Sequence, residues 1–184
     1  MRITETQLRG VFVVDLEKVQ DHRGFFSRVF CAKEFQECGL CDRYVQANIA
    51  FNNLANTLRG MHYQAPPFQE VKLVSCTKGA IFDVVIDLRP ESETYKQWFG
   101  IELNEDNYRM LYVPKDFAHG YQTLTDGSQV FYQVSQYYSP AYERGVRWDD
   151  PAFGVDWPAA TKRIISAKDK SWINFESNPG GRDR

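Results

Sequence analysis

Histidine is scarce in this chain: His22, His62 and His119 are all there are in 184 residues, and no H-x-H pair occurs. A metal site built from several histidine ligands has little to draw on. Cysteine is hardly richer. Cys31, Cys38, Cys41 and Cys76 include one CxxC, Cys38-Gly39-Leu40-Cys41, with no second pair and no nearby histidine. Zinc and redox motifs are therefore not indicated, and structural or incidental cysteines are expected. No apolar run approaches the ~20 residues of a membrane-spanning helix. Residues 1–10 lack the apolar stretch of a secretory signal, so the chain reads as cytoplasmic, with no membrane partner. No charge sign dominates: 22 Lys and Arg face 24 Asp and Glu, a net charge of -2. That offers nothing to nucleic acid, and local basic residues must carry any phosphate binding. Internal repeats, linkers and low-complexity segments are missing too, which leaves a single domain over residues 1–184.

What the chain does have is aromatic and β-forming residues. Aromatics make up 15% and apolar residues 43% of the sequence, a composition suited to a β-rich core. Residues 33–40 read as one short helix stopped near Gly39, and residues 104–107 as a turn. Strand patterns fill most of the rest. Residues 10–19 alternate, residues 72–76 and 80–88 read as a hairpin through Thr77-Lys78-Gly79, and residues 100–103, 108–113 and 129–138 follow. Turn signals fall at Asp126-Gly127 and Pro114-Lys115-Asp116. Many short strands predict an all-β sandwich or barrel with a few short peripheral helices. In residues 129–138 the period of two puts Tyr132 and Tyr138 on one face, and in residues 72–76 it aligns Lys72 with Val74 and Cys76. The tail after Trp172 is expected to be peripheral, with a flexible tip.

The chemistry-bearing residues gather round Arg59-Gly60-Met61-His62-Tyr63-Gln64, with Lys72 ten positions past His62. The segment runs into Pro66-Pro67, so His62 is expected at the mouth of a β-structure. Removing a proton beside a carbonyl needs a base that works near neutral pH and a cation for the enolate oxygen. A surface histidine with an ordinary ion pair is the plainer alternative. His119, before Gly120, is expected at the end of a strand. Asp83 interrupts the apolar run 81–86 and must be paired, because a lone buried carboxylate is costly; a structural ion pair and support of a site residue both fit. Two histidines on separate strands also suggest a metal-binding cupin, but His22 lies far from the other two.

The segments 21–26 (Asp-His-Arg-Gly-Phe-Phe), 45–48, 58–64, 72–74, 82–84, 113–120 with Phe117-Ala118-His119-Gly120, Tyr137-Tyr138, 143–151 and 166–169 occur in one order and spacing. Together they make the chain resemble the dTDP-4-dehydrorhamnose 3,5-epimerase family of the cupin superfamily, over nearly its whole length. The resemblance implies a cupin-type jelly-roll sandwich and a homodimer that exchanges N-terminal strands. It implies no metal and no cofactor. The implied substrate is a nucleoside-diphosphate 4-keto-6-deoxyhexose, carried by dTDP or alternatively CDP. The roles it implies are His62 as base, Asp169 as its charge partner, Lys72 as the cation near the C4 oxygen and Tyr132 as the acid on the opposite face. Arg23, Gln46, Asn48, Arg59, His119, Glu143 and Lys168 would hold nucleotide and sugar, and Tyr138 would stack near the base.

Some positions depart from the family pattern. Arg28 stands where many members carry a glutamate that contacts the nucleotide, which makes it a candidate for base specificity. Ala50 replaces a common serine, Asn52-Asn53 replace basic residues, and Gln69-Glu70-Val71 replaces Ala-Gln-Gly ahead of Lys72. The base, the sugar and the inverted carbon, C3, C5 or both, stay open. Three alternatives are a 3,4-ketoisomerase of the same fold, a non-catalytic sugar-binding cupin and a metal-dependent cupin oxygenase. Retention of His62, Lys72, Tyr132 and Asp169 argues against the first.

Overall fold

Alternation along the strands decides which side chains meet. In the computed structural model, which describes residues 1–175, the strands are β1 (Arg2–Glu5), β2 (Phe12–Asp15), β3 (Val19–Asp21), β4 (Gly24–Phe26), β5 (Gln46–Asn52), β6 (Thr57–Gln64), β7 (Lys72–Lys78), β8 (Ala80–Asp87), β9 (Trp98–Asn104), β10 (Met110–Val113), β11 (Phe117–Thr123), β12 (Ser128–Val134), β13 (Glu143–Gly145) and β14 (Ile164–Ile165). Two short helices, α1 (Ala32–Glu37) and α2 (Ala167–Lys170), accompany them. One sheet runs β1-β2-β10-β7-β12-β5. The other runs β13-β6-β11-β8-β9, with β14 added in parallel beside β6. The result is the expected all-β, cupin-like sandwich.

The core lies between the sheets. Val74, Leu111 and Val130 from the first meet Ile81, Val85, Leu103 and Phe117 from the second. Strand β8 is buried on both faces. Its Ile81 and Val85 point into the sandwich, while Val84 and Ile86 pack outward under Phe153 and Trp157 of the C-terminal segment. Helix α1 covers the outer face of the first sheet through Phe35, which is fully buried against Leu73 and Met110. It ends at Cys38, before Gly39 with φ +71, close to the expected stop. All four thiols are free. Among the described residues no helix is long and apolar enough to cross a membrane.

Several sequence expectations need correction. Residues 72–88 are not a hairpin: β7 pairs with β10 and β12, whereas β8 pairs with β11 and β9. Gly79, at φ +69, turns the chain from one sheet into the other. A Cβ there would sit 2.5 Å from Thr125 Oγ1 and 2.8 Å from Ser128 Oγ. Residues 10–19 are not one strand, because only Phe12–Asp15 find partners in β1. The chain then leaves the sheet and starts the separate β3–β4 arm, which carries His22 in its turn. Tyr108 has φ +53, so the strand there begins at Met110. Strand β12 ends at Val134, so the strand period does not reach Tyr138. His119 sits inside β11 rather than at a strand end. The expected flexible tip of the tail lies outside the described residues.

Candidate active site

Two glycines bring β6 and β11 unusually close. A Cβ on Gly60 would lie 2.6 Å from the Gly120 Cα, and one on Gly120 would lie 2.6 Å from the Arg59 carbonyl oxygen. The β6–β11 register shifts at this point, between His119 and Tyr121. His62 and His119 become direct cross-strand partners. On the other side of β6, Gly145 of β13 lies opposite His62.

The two histidines are turned to different carboxylates. His62 Nε2 lies 2.6 Å from Asp169 Oδ1, and His119 Nε2 lies 2.8 Å from Asp83 Oδ1. His119 lines the cavity with Asp83 buried behind it, and Asp83 Oδ2 has no hydrogen-bond partner among the described residues. Asp169 is presented by α2, where Ser166 caps the helix by accepting the Asp169 backbone N–H at 3.0 Å. Asp169 Oδ2 accepts the Gly60 N–H at 3.4 Å. Burial would raise the Asp169 carboxyl, but the hydrogen bonds from His62, Gly60 and Ser166 outweigh it and hold the group below the usual range.

The first sheet faces this pair. Gln46 and Asn48 on β5, Tyr132 and Val134 on β12, and Lys72 on β7 share its inner face, as the cross-strand register requires. Burial first, and then the Glu70 charge, push the Tyr132 phenol above its ordinary range, so it stays protonated. The Lys72 ammonium is paired with Glu70 at 3.2 Å, both side chains 12% exposed. Arg59, which lines the cavity, donates from Nε to Asn52 Oδ1 at 2.8 Å. At the rim Tyr138 donates to Glu143 at 2.6 Å, and Lys168 lies 2.5 Å from the same carboxylate. Burial would raise Glu143, but these two contacts, with His62 nearby, keep it low.

These groups line one cavity of about 840 Å³, within the range for a ligand of cofactor size. The cavity gathers His62, Asp169, Lys72, Tyr132, Gln46, Asn48, Arg59, His119, Tyr138, Glu143 and Lys168. It does not gather Arg23 or Arg28. Arg23 is exposed in the β3–β4 turn and paired with Asp21, and Arg28 is exposed and paired with Glu34 at 2.9 Å. Three polar residues that hold this site together are given no role there by the sequence, although Asn52 and Glu70 stand out as departures from the family pattern. Gln64 shares the β6 face of His62, and Asn52 shares the β5 face of Gln46 and Asn48, so the period of two could have found both. Glu70 precedes β7 in a loop, where no periodicity operates. Among the described residues no group of three His, Cys, Asp or Glu is arranged to hold a metal ion.

Fold and site together define a class: a cupin-like isomerase. The chain belongs to the dTDP-4-dehydrorhamnose 3,5-epimerase family, whose model matches residues 5–177. It is 41% identical over 180 residues to the dTDP-4-dehydrorhamnose 3,5-epimerase of Methanothermobacter thermautotrophicus, covering 97% of this chain and 96% of that one. The same enzyme from Bacillus anthracis, crystallised with TDP and PPi bound, superposes with a TM-score of 0.91 at 38% identity, covering 95% of this chain and 99% of that one. The Legionella pneumophila dTDP-6-deoxy-D-glucose-3,5-epimerase, in complex with dTDP-4-keto-L-rhamnose, gives a TM-score of 0.89 at 35% identity, over 95% and 93% of the two chains.

Proposed function

We propose that this protein, a single domain of residues 1–184, epimerises a dTDP-linked 4-keto-6-deoxyhexose at C3 and C5 in deoxysugar biosynthesis. The observation that carries the reading is a histidine on one sheet, paired with a carboxylate from α2, facing a phenol and a lysine on the other sheet across one cavity. A sugar ring between the sheets presents opposite faces to the two sets. His62 spends Nε2 on Asp169, so Nδ1 is the nitrogen left to take the proton. The imidazolium formed is stabilised by the Asp169 carboxylate. The C4 oxygen gains negative charge as the carbanion delocalises, and the Lys72 ammonium meets it. Tyr132 then returns a proton from the opposite face, which inverts the carbon. Every step uses side chains alone, so the proposal includes no cofactor and no metal.

Arg59, Lys168 and His119 suit the diphosphate, and Gln46, Asn48, Tyr138 and Glu143 suit the rest of the ligand. Arg23 and Arg28 enter the proposal through a homodimer in which the β3–β4 arm reaches the partner's cavity. Large apolar side chains exposed on that arm and on the edge strand β5 support it, with Phe26 73% and Ile49 63% exposed. Arg28 would there meet the nucleotide base, so Arg28→Glu should change the ratio of dTDP to CDP binding in a titration. The free thiols agree with a reducing compartment, and the cytoplasm is the one we propose.

The test is incubation with dTDP- and CDP-4-keto-6-deoxyglucose in deuterated water. Deuterium should enter C3 and C5 of the dTDP sugar, together with the inverted product. Failure of every carbon to exchange with either nucleotide sugar sinks the reading.

A further inference from the structure

Lys72 is not held by its own strand. Glu70, two residues before β7, places Oε1 3.2 Å from the Lys72 ammonium. Its Oε2 accepts the Gln64 amide at 3.2 Å. Gln64 is itself fixed: its amide also donates to the carbonyls of Phe68 and Tyr137, at 3.0 and 3.3 Å, and its Oε1 accepts the Ser139 N–H at 2.7 Å. A continuous polar chain, Gln64–Glu70–Lys72, thus runs from the strand of His62 to the strand of Lys72. The other carboxylates around the cavity are engaged elsewhere: Glu143 by Lys168 and Tyr138, Asp169 by His62, and Asp83 by His119.

We propose that Glu70 is a positioning residue for the reaction, a carboxylate locked by Gln64 that fixes the Lys72 ammonium at the point where the enolate oxygen develops. The inference rests on the reading that Lys72 stabilises that oxygen. In this chain a carboxylate stands where the family pattern has glutamine, and the lysine is paired with it. Lysine has a flexible four-carbon stem, and a buried ammonium without a partner swings toward water. The ketone is neutral when it binds and gains charge only as the proton leaves. A misplaced Lys72 therefore slows turnover while barely changing binding.

Steady-state kinetics with dTDP-4-keto-6-deoxyglucose on Glu70→Gln, Lys72→Met and the double variant tests this. In Glu70→Gln the new amide carbonyl can still accept from Gln64, so the cavity keeps its shape. This substitution should lower kcat at least about tenfold with KM within about threefold. On the Lys72→Met background the same change should cost less than about twofold, because Glu70 acts only through Lys72. The Glu70 field on Tyr132 does not blur this result, since the phenol is protonated near neutrality either way. Glu70→Asp keeps the charge, withdraws it by one methylene and leaves the fold in place, and its kcat should be intermediate. A kcat at or above wild type for Glu70→Gln or Glu70→Asp overturns the proposal, as does an equal loss on the Lys72→Met background. An unchanged kcat in Lys72→Met instead removes the reading of Lys72 on which the proposal stands.

Discussion

His62 Nε2 lies 2.6 Å from Oδ1 of Asp169, a residue 107 positions further along the chain. Helix α2 exists at this point largely to present that carboxylate: Ser166 caps the helix by accepting the Asp169 backbone N–H, and the Gly60 N–H holds the second oxygen. Asp169→Asn keeps the size and one acceptor but removes the charge that stabilises the imidazolium. We expect kcat to fall on the order of a hundredfold or more, by analogy with His–Asp pairs elsewhere, with KM little changed. A loss of less than about threefold would reduce Asp169 to an orienting group.

The same carboxylate makes stability depend on acid. Burial works to raise it, but the bonds from His62, Gly60 and Ser166 win, and its folded value lies below the unfolded one. A depressed carboxyl contributes stability that is complete above the ordinary carboxylate range of about 4 and is lost as pH falls through the folded value. Melting curves of wild type and Asp169→Asn should therefore differ most at about pH 5 and above, taking that as roughly the upper limit of titration. The gap should close toward about pH 3. A gap that widens on acidification contradicts the sign.

Gly145 faces His62 across β13 and β6. A Cβ at this position would lie 2.5 Å from Trp172 Nε1 and 2.7 Å from the Met61 carbonyl oxygen. Neither a packed indole nor strand backbone gives way easily. Gly145→Ala should cost about 1–3 kcal/mol and lower the melting temperature by roughly 2–4 °C per kcal/mol for a chain of this length. It should also lower kcat, because the strand that moves carries His62. Calorimetry showing an unchanged melting temperature would mean that Trp172 relocates freely.

Lys72 and Tyr132 face the cavity as the strand period expects, because β7 and β12 keep their alternation across the register. Tyr138 also lines the cavity, but not for the reason the period offered. It stands beyond the end of β12 and is placed by its N–H on Gln46 and its hydroxyl on Glu143. The hairpin expected at Gly79 failed because a glycine turn looks the same in sequence whether it folds a strand back on itself or sends it to the opposite sheet. The outcome lies in the pairing partners, β10 and β12 for β7 and β11 and β9 for β8, which come from distant segments. Glu70 was visible only as a departure from a pattern. Its place depends on Gln64 and Lys72 converging from different sheets, which no local window contains.

Chelation should leave turnover unchanged. His62 and His119 each direct Nε2 to a carboxylate instead of converging on one point, and Lys72 supplies the positive charge that a metal would otherwise provide. Dialysis against EDTA, followed by kinetics and elemental analysis, checks this. Activity lost on chelation and restored by one added metal would defeat it.

The two halves of the reaction separate by mutation. His62→Asn should abolish both solvent exchange and product, because the base is gone before any bond breaks. Tyr132→Phe keeps the base, the ring and the packing between Asn48 and Val74, its partners on the two neighbouring strands. It removes only the hydroxyl that lines the cavity opposite His62. Proton removal by His62 and its return from the same face remain open to this variant, so deuterium should still enter the abstracted carbon with its configuration retained. Delivery from the other face is lost, so the inverted product should fall by at least about a hundredfold, within the span assigned to general acid catalysis. Proton NMR in deuterated water reads both quantities in one sample. A Phe variant that forms the epimer at the wild-type rate would show that Tyr132 only packs, and that water or another side chain is the acid.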